Sequence, residues 1–141
     1  MINKYDLATE ENIKLLKQNF DAYKHLLKKV PVLQISCKTG KNIGRVLPLI
    51  NSVWQAYNSK FSESELFSLF LDVLNKRPLM HTSYRLNLYG AKQIKQAPII
   101  ISLRVNEPDW FGPSQLSFFE NLMREKYDLT GVSIKFLAQK K

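Results

Sequence analysis

RLNLYGAKQIKQAPIIISLRVNE, residues Arg85 to Glu107, decides the fold of the C-terminal part of the chain: its two halves alternate with period two around a short polar break. Such alternation is the mark of a half-buried β-hairpin. Leu86 and Leu88 point one way, and Ile99, Ile101, Leu103 and Val105 join them if the strands pair in the obvious register. The opposite face then carries Arg85, Asn87, Tyr89, Ile100, Ser102 and Arg104, a cationic set for a sheet surface. Everything beyond about residue 59 can be built around this hairpin.

Working outward, helix precedes the hairpin and helix and strand follow it. Ser62 and Glu65 form a capping box, and Leu66, Phe67, Phe70, Val73 and Leu74 give the helix it opens a buried stripe, ended at Lys76-Arg77-Pro78. After the hairpin, Pro108 and Gly112-Pro113 announce another helix with Leu116, Phe119, Met123 and Tyr127 on one face. Gly131 turns the chain into a last strand, Val132 to Leu137, with Ile134 and Phe136 inward and Ser133 and Lys135 outward. The order predicted for residues 59–141 is αββαβ, a three-stranded mixed sheet whose second and third strands run parallel.

The first 58 residues read as a separate α/β piece. Thr9 before Glu10 and Glu11 starts a helix whose last turn carries Lys24, Lys28 and Lys29, matching the helix dipole at both ends. Its stripe is Ile13, Leu16, Phe20, Tyr23 and Leu27, and Pro31 ends it. Val32 to Ser36 is a short buried strand, residues 38–42 a loop, and Ile43, Leu47, Ile50, Trp54 and Tyr57 a second helical stripe, slightly bent at Pro48.

Two motifs here carry chemistry. Asn3-Lys4-Tyr5-Asp6 has the form N-K-x-D, and Ser36-Cys37-Lys38 follows one helix and one strand later. A carboxylate at Asp6 can accept from both N1–H and the 2-amino group of guanine, whereas adenine leaves it unpaired; such a site rejects the unmatched analogue by roughly 10⁴ or more. Together the motifs resemble the guanine-recognition elements of P-loop GTPases. That resemblance implies that Asn3 fixes the loop and reaches purine N7, that the stem of Lys4 covers the ring, and that the Cys37 backbone N–H meets guanine O6. N-K-x-D alone arises by chance, and it is the order of motif, helix, strand, S-C-K-T-G and helix that gives it weight.

No G-x-x-x-x-G-K-[ST] occurs among the 141 residues, so no phosphate-cradling loop or magnesium hydroxyl is present in them. Asp128-Leu129-Thr130-Gly131 spells D-x-x-G, but it falls after N-K-x-D where the GTPase order requires it before, and it reads as a helix end and turn. Lys38-Thr39-Gly40 lacks the S-x-x-K that would make it a β-lactamase element. His25 and His81 are remote from each other and from Cys37, which is no metal spacing.

Arg85 to Gln93, Val105-Asn106-Glu107-Pro108, Glu120-Asn121 and Arg124-Glu125, with Gly131 before the last strand, look like the C-terminal KH-like domain of the Der (EngA) GTPases. Members of that family carry two GTPase domains followed by this domain and act in assembly of the large ribosomal subunit. The resemblance covers the whole chain, residues 1–58 matching the end of the second GTPase domain and 59–141 the KH-like domain. It implies a C-terminal fragment of a Der protein. GTP or GDP would then be the ligand of the intact parent, with none expected for the fragment. The implied partners are the large ribosomal subunit with its RNA and the upstream GTPase domains. The basic approach to the first strand is here His81-Thr82-Ser83-Tyr84, and the start of the later helix is Gln115-Leu116-Ser117, so positive charge is lost at both. G-x-x-G, the phosphate clamp of RNA-binding KH domains, is absent, as it is in this family.

Charge agrees with a polyanionic partner: 21 Lys and Arg against 12 Asp and Glu give a formal net charge of +9. From Val73 to Asn106 there is no acidic residue at all. Arg85, Arg104 and Lys135 are expected to form a compact patch, with Asn87 and Tyr89, that serves as an RNA surface or as a dock for an acidic GTPase domain; a merely solvated face is the plain alternative. The single cysteine excludes a disulfide framework within the chain and suits the cytoplasm, and no apolar run reaches membrane-spanning length. Truncation of the first half predicts self-association or local disorder there. The rival to the GTPase reading is a stand-alone RNA-binding module in which Asn3-Lys4-Tyr5-Asp6 is coincidence.

Overall fold

A computed structural model describes residues 1–27 and 29–141, with the side chains of Leu26 and His81 outside the description. Lys28, expected in a helix's last turn, therefore lies outside the described residues. The chain divides into two compact units, one of residues 1–55 with 130–132 and one of residues 56–129 with 133–141.

The second unit holds nearly all of the core. Helix α4, Glu63–Lys76, starts at the capping box: Ser62 Oγ accepts from the Glu65 N–H at 3.2 Å, and Glu65 Oε2 accepts from the Ser62 N–H at 3.1 Å. Strands β3 (Leu88–Lys95), β4 (Ile99–Val105) and β5 (Ile134–Lys140) form one sheet in that order, β3/β4 antiparallel and β4/β5 parallel. The parallel pair requires a crossover, which α5, Pro113–Lys126, supplies. Ile99, Ile101, Leu103 and Val105 of β4 are fully buried, as their period-two spacing predicts. Phe70 of α4 stands edge-on to Phe119 of α5 at 5.0 Å, and both rings lie 6.1 Å from Phe136 of β5, so two helices and a strand meet in one aromatic cluster. This is the predicted αββαβ order. The last strand begins two residues later and runs three residues further than expected.

One part of the hairpin reading is corrected. Arg85 does not belong to β3. With Tyr84 it forms β2, paired to β1 (Met80–His81) in a separate two-stranded sheet. The reason is visible in the hydrogen bonds: the Leu86 N–H goes to the Leu79 carbonyl at 2.9 Å, which spends residues 84–86 on the small sheet before β3 starts.

In the first unit, α1 spans Glu10–Ala22, capped by Thr9, whose hydroxyl accepts from the Asn12 N–H, and α2 spans Lys24–Leu27. The chain kinks at Tyr23, so Lys24 and Lys29 fall outside the last turn of α1. The expected strand Val32 to Ser36 is reduced to one parallel bridge, Gln34 to Ile2, because Ile2 is its sole ladder partner among the described residues. Helix α3, Val46–Tyr57, begins after a 3₁₀ turn at Ile43–Arg45. Pro48 thus sits in the first turn of α3, where an N–H has no intrahelical acceptor in any case, and no bend is needed. Part of the helical stripe faces solvent: Leu47 is 70% and Ile50 52% exposed, while Val46, Leu49 and Val53 are the half-buried side. Among the described residues of 1–55, Ile35 and Ser36 alone are fully buried. No helix among the described residues is long and apolar enough to cross a membrane.

Candidate functional site: a joined loop pair and a divided cationic face

The two short motifs of the first unit come together. The Tyr5 N–H bonds to the Ile35 carbonyl at 3.1 Å, and Ile2 ladders with Leu33 and Ile35 on either side, so residues 2–6 run beside 33–36. Lys4 takes the left-handed conformation at φ 59°, which turns the chain into a 3₁₀ turn at Tyr5–Leu7. Asn3 Oδ1 accepts from the Lys4 N–H at 2.7 Å and, more weakly, from the Cys37 N–H at 3.4 Å. Ser36 is fully buried, and its hydroxyl donates to the Asp6 carboxylate while accepting from the Thr39 N–H at 3.2 Å. Asn3, Lys4, Asp6, Leu7, Cys37 and Lys38 line a depression of about 300 Å³, at the small end of the range for ligand clefts. Lys41 lies over the Tyr5 ring at 4.7 Å and braces the same loops.

In chemical terms, the depression offers a carboxylate already fixed by a buried hydroxyl, a backbone N–H held only by a long bond, and two lysine stems. Those are the parts needed to pair with an N–H/N–H edge and a neighbouring carbonyl on a flat ring. Ser36 stands beneath the site rather than in its wall.

The second unit's cations are not one patch. On the outer face of the sheet, Gly90, Arg104 and Gln139 share one row, Lys92, Ser102 and Leu137 the next, and Ile100 pairs with Lys135 beyond. Arg104 and Lys135 are therefore separated by four residues along the strands, about 13 Å, and Arg85 is in another sheet. The expected compact group of Arg85, Arg104 and Lys135 is corrected accordingly. Nor is the face free of acid: Glu63, from the first turn of α4, pairs with Lys92 at 2.7 Å. The Lys92 ammonium, with a smaller pull from Arg104, holds the Glu63 carboxyl below its ordinary range. Arg104 lies flat across the strand only because residue 90 is glycine, since a Cβ there would sit 2.8 Å from its Nη2.

Arg85, Asn87 and Tyr89 gather elsewhere. Arg85 Nη2 donates to Asn75 Oδ1 of α4 at 3.2 Å. Asn106 braces the strap before β3 from the far end of β4: its Oδ1 accepts from the Asn87 N–H and its Nδ2 donates to the Arg85 carbonyl, both at 3.0 Å. Between Leu88 and Gly90 the β3/β4 register slips, so Tyr89 is the unpaired residue of a bulge and points outward, with Lys141 over its ring at 4.7 Å. Glu63 and Asn75 were missed by sequence reasoning, and Gly90 entered it only within the resembling segment Arg85 to Gln93, with no role given. Asn106 had a signal, since Val105-Asn106-Glu107-Pro108 is one of the resembling segments.

A family model for the KH-domain-like, C-terminal region of EngA bacterial GTPase enzymes matches residues 60–139. Over the whole chain there is similarity to proteins named GTPase Der. The one from Campylobacter concisus is 32% identical over 142 residues, covering 100% of this chain and 30% of that protein. Those from Bacillus cytotoxicus and Lactobacillus delbrueckii subsp. bulgaricus are 28% and 29% identical, each alignment covering 99% of this chain and 33% of the relative. The chain thus spans about a third of the length of the curated relatives it matches.

Proposed function

This chain belongs to the family of EngA (Der) bacterial GTPases through its C-terminal KH-domain-like region, and from that membership we propose that it acts as the C-terminal portion of a guanine-nucleotide-dependent factor in large-subunit ribosome assembly. In this reading residues 1–58 are the guanine-recognising end of a GTPase domain and residues 59–141 a KH-like domain. GTP or GDP binds to the intact parent, hydrolysis changes how the KH-like domain is held against the upstream domains, and the working compartment is the cytoplasm. The observation that carries the proposal is the joined loop pair: Asp6, fixed by buried Ser36, and Asn3, bonded to the Cys37 N–H, share one depression. A module with no nucleotide role gives no reason for that juxtaposition.

The RNA of the subunit is the polyanion that the net charge of +9 addresses. Arg104 and Lys135 contribute from the open sheet face, and Arg85, Asn87 and Tyr89 from the strap. Because Arg104 and Lys135 stand about 13 Å apart, they act as two separate phosphate contacts. Replacing both by Ala is expected to weaken co-sedimentation with isolated large ribosomal subunits and to flatten the plot of log affinity against log salt by about 1.4. An unchanged affinity and slope sinks this RNA role and makes the same face a dock for an acidic GTPase domain. The exposed Leu47 and Ile50 of α3 support self-association of this chain when it is on its own.

A further inference from the structure

The hydrogen bonds that pull Arg85 out of the main sheet also create a hollow. Leu71, Leu74 and Asn75 of α4 and the strap from Arg85 to Tyr89 enclose a depression of about 320 Å³. Its floor is apolar, since Leu74, Leu86 and Leu88 are all buried. Its rim is polar and of few kinds: the Asn75 and Asn87 amides, the Arg85 guanidinium, and the phenol ring of Tyr89, which the bulge leaves 42% exposed.

We propose that this hollow binds an unstacked nucleobase of single-stranded RNA, which stacks on Tyr89 while Asn87 and Asn75 address its polar edge and Arg85 meets the adjoining phosphate. The inference rests on the RNA role proposed above and names the form of RNA that this part of the surface selects. Three observations carry it. Unpaired bases are recognised by an aromatic plane together with hydrogen-bonding groups for their edges, and the hollow puts both around an apolar floor. Its donors and acceptors are positioned: Asn106 locks the backbone on both sides of Leu86, and Arg85 is anchored on Asn75, which leaves the Asn75 amide N–H groups to donate. Finally, the strap and the strands after it belong to the stretch without acid from Val73 to Asn106, so a phosphodiester lying along the strap meets no carboxylate of that segment, and the acid beside the lining is Asp72, next to Leu71 on α4. Lys141 covers the Tyr89 ring without bordering the hollow, and a base entering there does not have to displace it. An apolar floor with so few polar groups also suits a peptide side chain, and the test separates the two.

Fluorescence anisotropy of the 141-residue chain with short labelled oligo(A) and oligo(U), and with a duplex RNA of equal length, makes that test. The single strands should bind more tightly than the duplex. Tyr89→Ala should weaken single-strand binding by about 5- to 100-fold, as loss of one stacked base does, and Tyr89→Phe should retain it. The slope against salt should stay as it was, because the ring carries no charge. If Tyr89→Ala binds as well as the unaltered chain, or duplex and single strand bind alike, the hollow is not a base site, although the RNA role survives. If the unaltered chain binds neither form, the RNA role itself falls and the peptide reading takes the hollow. Should Tyr89→Ala fail to fold, photo-crosslinking of 4-thiouridine RNA to the unaltered chain decides: a crosslink within residues 85–92 supports the site, and crosslinks confined to other segments overturn it.

Discussion

Guanosine, GMP and GTP should bind this 141-residue chain with nearly the same, very weak affinity. The base contacts can be summed from the structure. Asp6 can accept two hydrogen bonds from guanine, each worth about 1.5–3 kcal/mol for a charged acceptor, and the Cys37 N–H adds about 1 kcal/mol once it leaves its 3.4 Å bond to Asn3. Against roughly 4–7 kcal/mol in total stands a cost of about 4 kcal/mol or more for immobilising the ligand. The remainder falls short of the 4.1 kcal/mol that corresponds to about 1 mM, and no P-loop sequence is present among these residues to add phosphate contacts. Titration followed by two-dimensional amide NMR is the assay, with shifts expected at Lys4, Asp6, Cys37 and Lys38 for all three guanine ligands and for adenosine not at all. Asp6→Asn should abolish them, because an amide NH₂ in place of a carboxylate oxygen meets the guanine N–H groups donor to donor. Micromolar GTP with millimolar guanosine would refute the reasoning, since the chain would then hold phosphates by groups this account does not contain. Equal response to adenosine would remove the guanine assignment itself.

Two further outcomes concern the KH-like unit. Phe70→Ala should destabilise it by about 3–5 kcal/mol, as expected for an emptied core aromatic, whereas Phe70→Leu should cost clearly less. Urea unfolding followed by circular dichroism reads the difference, and a loss under about 1 kcal/mol for Phe70→Ala would show that the cluster with Phe119 and Phe136 is not the core. Stability should also fall as pH is lowered through the range in which Glu63 and Glu65 take up protons. Both carboxyls are held below their ordinary range, Glu63 first by its bond to Lys92 and Glu65 first by the Ser62 hydroxyl. A lowered folded-state value means stability that is present above the unfolded-state value and lost as pH drops through the folded one. Thermal melts of Glu65→Gln should flatten that acid limb, and an unchanged limb would assign it to other groups.

What could be read from the sequence was local or periodic. The capping box at Ser62 and Glu65 lies within four residues, and the inward row of β4 repeats every second residue, so both were legible. The bulge at Tyr89 was not, because no periodicity signals a single extra residue, and its effect was to move Gly90 to the outer face. The assignment of Arg85 to the hairpin failed for a similar reason: Leu86 continues the alternation, yet its N–H is claimed by Leu79, and nothing in a period-two pattern says which strand a residue pairs with. The ion pair of Lys92 with Glu63 joins residues that only the fold makes neighbours. In α3 the period identified an apolar face but not its surroundings, since Leu47 and Ile50 are open to solvent; amphipathicity states that a face is apolar, not what meets it. Asn3-Lys4-Tyr5-Asp6 and Ser36-Cys37-Lys38 were legible as patterns, while the buried hydroxyl of Ser36 that fixes Asp6 was not.

Asn106 holds the Asn87 N–H and the Arg85 carbonyl with one side chain planted at the end of β4. Those two bonds therefore persist or fail together with the terminal pairing of β4, while Leu86 between them is held separately by Leu79. In hydrogen-exchange terms, the Asn87 amide belongs to an exposed residue but should be as slow as the end of β4. A label placed on this strap would report fraying of the central strand rather than motion of a loop.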